Sequence, residues 1–112
     1  MRNRDVRIDI SHYLMSSRTI TTTASELLPQ NRLRKSFAVE NEDSAIQIYI
    51  MKERPGNNTV STTVHDHNIR PGATIAVNSD TDGEESVQDR WTIIAASGTP
   101  RISVMESESI IR

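Results

Sequence analysis

Val87-Gln88-Asp89-Arg90-Trp91-Thr92-Ile93-Ile94-Ala95-Ala96-Ser97-Gly98-Thr99 is the stretch that decides the fold class of this chain. Trp91 to Ala95 is a short apolar run rich in β-branched and aromatic side chains, the pattern of a buried strand. Ser97-Gly98-Thr99 supplies turn chemistry, and Ile102 to Met105 resumes the apolar pattern as a last strand. A buried strand, a tight turn and a closing strand are how a small sandwich ends.

Working outward, the same signals repeat. Lys35 to Glu40 alternates, with Phe37 and Val39 on one side, and Ala45 to Met51 places Ile46, Ile48 and Ile50 on one face. The polar Asn41-Glu42-Asp43-Ser44 between them predicts a hairpin. Thr59 to Val64 reads as a weaker strand, and Arg70-Pro71-Gly72 as a turn into Ala73 to Val77. Lys52 to Asn58 and the acidic segment Asn78 to Ser86 read as exposed loops. Arg18 to Thr22 is a further strand. Thr23-Ala24-Ser25-Glu26 then has capping-box spacing and leads into Leu27-Leu28 before Pro29, which predicts one short helical turn.

The expected fold is therefore all-β: a small antiparallel β-sandwich or jelly roll of about eight short strands with one helical turn. Residues 1–17 are expected to form an N-terminal arm, in which Val6, Ile8 and Ile10 alternate with Arg7 and Asp9. Residues 18–106 form the sandwich and 107–112 a tail. The arm has the pattern of a strand that pairs with the body or reaches another subunit.

Composition agrees. The chain has 112 residues, enough for one domain, and holds 13 Ile, 7 Val and 11 Thr against 4 Leu. Hydrophobic residues make up 35% and aromatics 4%, a lean core that favours support from oligomerisation or docking on a larger surface. There is no cysteine, hence no disulfide framework or thiolate chemistry. No apolar run approaches the ~18 residues of a membrane span, and no secretory core follows the N-terminus, so a soluble protein without a membrane partner is expected. Residues 1–35 carry seven basic and three acidic groups, a balance of +4, while the remainder carries six and twelve, a balance of −6. Such polarity suits contacts between copies or with a neighbour. An acidic total with few aromatics disfavours nucleic acid.

Candidate chemistry is sparse. His65-Asp66-His67 places two imidazoles two residues apart, as a strand metal site would, but no Glu follows and the only other histidine is His12. A metal-dependent jelly-roll enzyme would need more ligands, so neither metal nor cofactor is expected. Counted from Asp80, the position that should be the bidentate Glu of a calcium loop is Trp91. No Gly-x-Ser-x-Gly elbow or glycine-rich phosphate loop is present. Asn57-Asn58-Thr59 has the form of a glycosylation acceptor. Arg32-Leu33-Arg34-Lys35 is either an edge-protecting basic patch or a docking surface for an acidic partner.

Several segments carry a resemblance. Thr19-Ile20-Thr21-Thr22-Thr23-Ala24-Ser25-Glu26-Leu27-Leu28, then Asn31-Arg32, Arg34-Lys35-Ser36-Phe37-Ala38-Val39-Glu40-Asn41 and Ile46-Gln47-Ile48-Tyr49-Ile50, together with Pro71-Gly72-Ala73-Thr74-Ile75 and Trp91 to Glu106, resemble small tailed-phage virion accessory proteins. The similarity spans roughly residues 19–106. Met51-Lys52-Glu53-Arg54 stands where those proteins often carry a Gly-rich stretch, and residues 1–17 are additional. What the resemblance implies is a non-enzymatic capsid decoration (cement) protein of β-sandwich or jelly-roll fold, made in the host cytoplasm and placed on the capsid surface of the virion. Its implied partners are the major capsid protein and itself, as a dimer or trimer. The contact residues expected on this reading are Arg2, Arg4, Val6, Arg7, Ile8 and Ile10 of the arm, with Arg32, Arg34 and Lys35. A receptor- or glycan-binding module of a head or tail fibre is the alternative, for which an exposed Trp91 or Tyr49 would speak.

Overall fold

Eight strands form two four-stranded antiparallel sheets in the computed structural model, which describes residues 9–56 and 59–111, with side chains at 13–56 and 59–109. The strands are β1 (Asp9–Thr19), β2 (Ser25–Leu28), β3 (Arg34–Asn41), β4 (Ile48–Lys52), β5 (His67–Ile69), β6 (Thr74–Asn78), β7 (Trp91–Ala95) and β8 (Arg101–Ile111). Two short helices, α1 (Ser79–Asp82) and α2 (Glu84–Gln88), lie between β6 and β7. Sheet one has the order β1-β8-β3-β6 and sheet two β2-β7-β4-β5. The chain is thus one long hairpin folded over on itself. The first strand pairs with the eighth, the second with the seventh, the third with the sixth and the fourth with the fifth. That nesting is a jelly roll, one of the two forms of the all-β sandwich expected from the sequence.

The core lies between the sheets. Phe37, Val39, Val77, Ile102 and Val104 of sheet one meet Leu28, Ile48, Ile50, Ile69, Trp91, Ile93 and Ala95 of sheet two, all buried. The aliphatic alternation of β3 and β4 dictates which face turns inward. Each Val, Leu, Ile or Phe side chain so removed from water contributes about 1.5–3 kcal/mol. Gly98 takes the left-handed conformation (φ +59°) in the turn between β7 and β8, as the Ser97-Gly98-Thr99 pattern requires.

Four local expectations differ. The hairpin over 35–51 does not form: β3 and β4 belong to opposite sheets, and residues 42–47 carry the chain across the sandwich. Asn41 makes the corner. Its side chain is buried, with Nδ2 donating to the Ile46 and Ile69 carbonyls at 2.7 and 3.0 Å, while Oδ1 accepts the Asp43 N–H at 3.0 Å. The helical turn expected before Pro29 is strand β2 instead, because Ser25 to Leu28 has β7 to pair with. Helix appears in the segment read as an exposed loop. There Asn78 caps α1 by accepting the Thr81 N–H, and Val87 of α2 is buried in the core. Thr59 to Val64 is a bend rather than a strand, closed by the Ser61 N–H to the Val64 carbonyl.

The expected divisions at 17/18 and 106/107 fall inside β1 and β8. These two strands pair without interruption from Asp9 opposite Ile111 to Thr19 opposite Arg101. Residues 107–111, expected as tail, are strand.

Candidate interaction surface

The expected contact residues scatter. Arg2, Arg4, Val6, Arg7 and Ile8 lie outside the described residues, as do Asn57 and Asn58 of the glycosylation pattern. Ile10 is in β1, opposite Ile110. The Arg32–Lys35 cluster splits. Arg32 and Leu33 are exposed in the turn before β3, Lys35 is half-buried, and Arg34 is 1% exposed. A bulge between Arg34 and Ser36 turns the guanidinium inward. Arg34 Nε donates to Glu106 Oε1 at 2.8 Å, Nη1 to the Val87 carbonyl at 2.9 Å, and Nη2 to the Pro29 carbonyl at 2.7 Å. It is a tie for the fold and unavailable to a partner. A cationic cluster read by type alone looks solvent-exposed because its carboxylate partner is 72 positions away.

The histidine pair is engaged separately. His65 packs on Tyr49 (ring centroids 4.4 Å apart) with Nδ1 3.2 Å from the Ser61 carbonyl, while His67 stacks on Trp91 at 6.0 Å. Between them, Asp66 accepts two hydrogen bonds from the Arg54 guanidinium and one from the Lys52 N–H. Burial opposes ionisation of Asp66, but the Arg54 and Lys52 donors outweigh it and hold the carboxyl below its ordinary range. No group of three or more His, Cys, Asp or Glu close enough to hold a metal occurs among the described residues. Trp91 is buried, edge-on to Phe37 at 5.2 Å, and its indole N–H donates to the Ser86 carbonyl at 2.7 Å. Its ring therefore cannot serve as a sugar platform. Tyr49 is half-buried.

A different surface stands out. Register places Met15 opposite Met105, Met105 opposite Ala38, and Ala38 opposite Ala76, so one row crosses all of sheet one on its outer face. The neighbouring row runs Tyr13, Ser107, Ser36 and Asn78. Tyr13 is 65%, Met15 76% and Met105 43% exposed. Beside them lies a shallow depression of about 270 Å³ whose lining includes Tyr13, Ala38, Ala76 and Met105. Singly exposed apolar residues are ordinary, but three large ones adjacent on rigid strands are a patch suited to contact. The contact residues expected from the pattern of this segment are instead Val6, Ile8 and Ile10. The alternation of Tyr13 and Met15 was the available signal, but the cross-strand partner Met105 could not be assigned without the register.

No protein-family model and no curated protein sequence matches the chain. By structure it is similar to a chain of the work described as "Bacillus endospore appendages form a novel family of disulfide-linked pili", with a TM-score of 0.56 and 14% identity over 98% of this chain and 96% of that one. At that identity the likeness speaks to the fold alone.

Proposed function

We propose that the chain is a non-catalytic structural module that decorates the outside of a tailed-phage head, binding the major capsid protein and bridging its neighbouring copies. One observation supports this reading above the others: Tyr13, Met15 and Met105 project from the outer face of a ribbon of two eleven-residue strands. Large apolar side chains held side by side on paired strands are what an interface uses as anchors, since the backbone that carries them needs no further ordering on contact. Exposed Arg32 and Leu33, with the arm residues Arg2, Arg4, Val6, Arg7 and Ile8 in sequence reach, supply cations and aliphatic groups for the rim. A bridging module strengthens the lattice because parting two capsid subunits must then also break its contacts. The test is occupancy on expanded heads stripped of decoration. The purified chain should bind at a fixed copy number per capsomer, and Tyr13→Ser/Met15→Ser should lower it at least tenfold. Absence of binding by the unaltered chain refutes the proposal.

The likeness to the Bacillus appendage chain favours a second reading, a subunit of a filament. Since this chain has no cysteine, its copies would be joined by strand pairing and packing, without disulfides. Negative-stain microscopy of concentrated protein distinguishes the two, because filaments form from the chain alone only on the second reading. Burial of Trp91 speaks against the glycan-binding alternative.

A further inference from the structure

Strand β1 is an edge of sheet one, and among the described residues its outer side pairs with nothing. The phase of its hydrogen bonds follows from one contact. Ile20 N–H donates to the Pro100 carbonyl at 3.0 Å, and the β1–β8 register continues unbroken from that pair through Asp9 and Ile111. In an antiparallel ladder the groups of successive residues point alternately to the two sides. Even-numbered residues of β1 therefore face β8, and the N–H and C=O groups of Asp9, Ser11, Tyr13, Met15, Ser17 and Thr19 face outward. Agreement comes from the other side of β8, where the Arg101 carbonyl points away from β1 and accepts the Glu42 N–H.

An outward ladder of this length is normally blunted by proline, a bulge or charge. Here there is no proline in β1, its register has no shift, and the Arg18 guanidinium is turned back onto the Glu26 and Leu27 carbonyls. The other sheet edges are short: β6 has five residues, β2 four and β5 three, against eleven in β1. Among the sheet edges of the described residues, only another β1 matches it in length. The sequence of β1 also suits its own reverse. Tyr13-Leu14-Met15 is central, with Ser11 before it and Ser16-Ser17 after it.

We propose that two copies of this chain pair through β1, antiparallel about a twofold axis at Leu14, to make one continuous eight-stranded sheet. In that register Leu14 faces Leu14 of the second copy as a non-hydrogen-bonded pair, and Tyr13 and Met15 exchange both N–H···O bonds with their opposites. The same pairing puts Tyr13 of each copy beside Met15 of the other on the outer face. Two apolar patches become one, a self-complementary contact of the kind that twofold symmetry demands. The inference concerns the free chain and stands independently of any capsid. On the decoration reading, the doubled patch is what faces the lattice.

The decisive experiment is cross-linking of the full chain. Because the protein has no cysteine, Leu14→Cys introduces a single thiol. On the axis the two Cα atoms approach within about 4.5–5.5 Å, inside disulfide range. Mild oxidation should give nearly complete covalent dimer with Leu14→Cys and little with Ser17→Cys, which would stand opposite Ser11. The unaltered chain should elute by light scattering at twice its 12.6 kDa. Met15→Pro removes an outward N–H and leaves the β1–β8 ladder intact, so it should yield folded monomer. A monomer at 100 micromolar, a Ser17→Cys cross-link exceeding that of Leu14→Cys, or an open-ended polymer would each overturn the proposal.

Discussion

Arg34 and Glu106 form an ion pair (Nε–Oε1 2.8 Å) in which the guanidinium is sealed from solvent while the carboxylate side chain keeps 19% of its surface exposed. The pair joins β3 to β8, and the same guanidinium holds the carbonyls of Pro29, Val87 and Asp89. One side chain thus fastens the loop before β3 and the end of α2 to sheet one. Arg34→Met leaves Glu106 without its cation and three carbonyls without a donor, and should cost about 3 kcal/mol or more. Arg34→Lys should recover less than half, because an ammonium cannot reproduce the planar fork. Glu106→Gln keeps an acceptor at the same place and should cost less than Arg34→Met. Urea unfolding of the three variants checks the order.

Asn41 is the second interior polar tie, and its role explains where sequence reading went astray. Between Phe37-Ala38-Val39 and Ile48-Tyr49-Ile50, a polar tetrad looks like a hairpin loop, since local pattern cannot report which sheet a strand joins. The sheet change depends on Asn41 Nδ2 reaching the carbonyl of Ile69, a residue distant in sequence. The burial of Arg34 escapes local pattern for the same reason, since Glu106 lies 72 positions away. By contrast, β7 and the Gly98 turn were legible because their signals are local: a β-branched apolar run and one positive φ. Helix α2 was hidden by its composition, Glu84-Glu85-Ser86, and becomes intelligible only when Val87 is seen docked in the core. The Met15–Met105 patch needed the register of β1 on β8.

Asn41→Ala should therefore destabilise by about 2–3 kcal/mol, since it orphans two carbonyls and the Asp43 N–H at a buried corner. Asn41→Asp retains the acceptor but loses the donors, and should fare no better. A shift of denaturation midpoint without change in slope would identify lost contacts. A changed slope would indicate altered compactness.

The pH response follows from Asp66 and Asp43. Arg54 and backbone donors depress the first, and the N–H groups of Ala45 and then Ile46 depress the second. A carboxylate whose pKa is lower folded than unfolded contributes stability that is fully present above its unfolded value, near ~4, and is lost as pH falls through the folded value. The contribution of these two carboxylates should be level from neutrality to about pH 5 and decline below pH 4. Asp66→Asn should flatten part of that decline. An Asp66→Asn variant that declines below pH 4 as steeply as the unaltered chain would contradict this assignment.

Gly98→Ala tests the turn that closes the sandwich. Alanine at φ +59° is strained, and its Cβ would lie 3.0 Å from the Ile46 Cδ1, the movable end of a side chain. The conformational term alone is about 1 kcal/mol, so a midpoint lowered by roughly 4–8 °C is expected for a chain of this size. Gly98→Asn, which tolerates the left-handed region better, should lose less.

Tyr13→Ser/Met15→Ser separates folding from association. Both side chains point away from the core, so their removal takes little apolar surface from the folded monomer and should change its stability by no more than about 0.5 kcal/mol in either direction. Any interface that uses them loses its anchors, which typically costs about 2 kcal/mol or more per large group. Thermal unfolding measured at low protein concentration should be nearly unchanged. At high concentration the unaltered chain should gain a concentration-dependent rise in midpoint that the double variant lacks, because association stabilises only the folded form. If the double variant instead unfolds early at every concentration, Tyr13 and Met15 serve the fold, and the outer face of sheet one is not a contact surface.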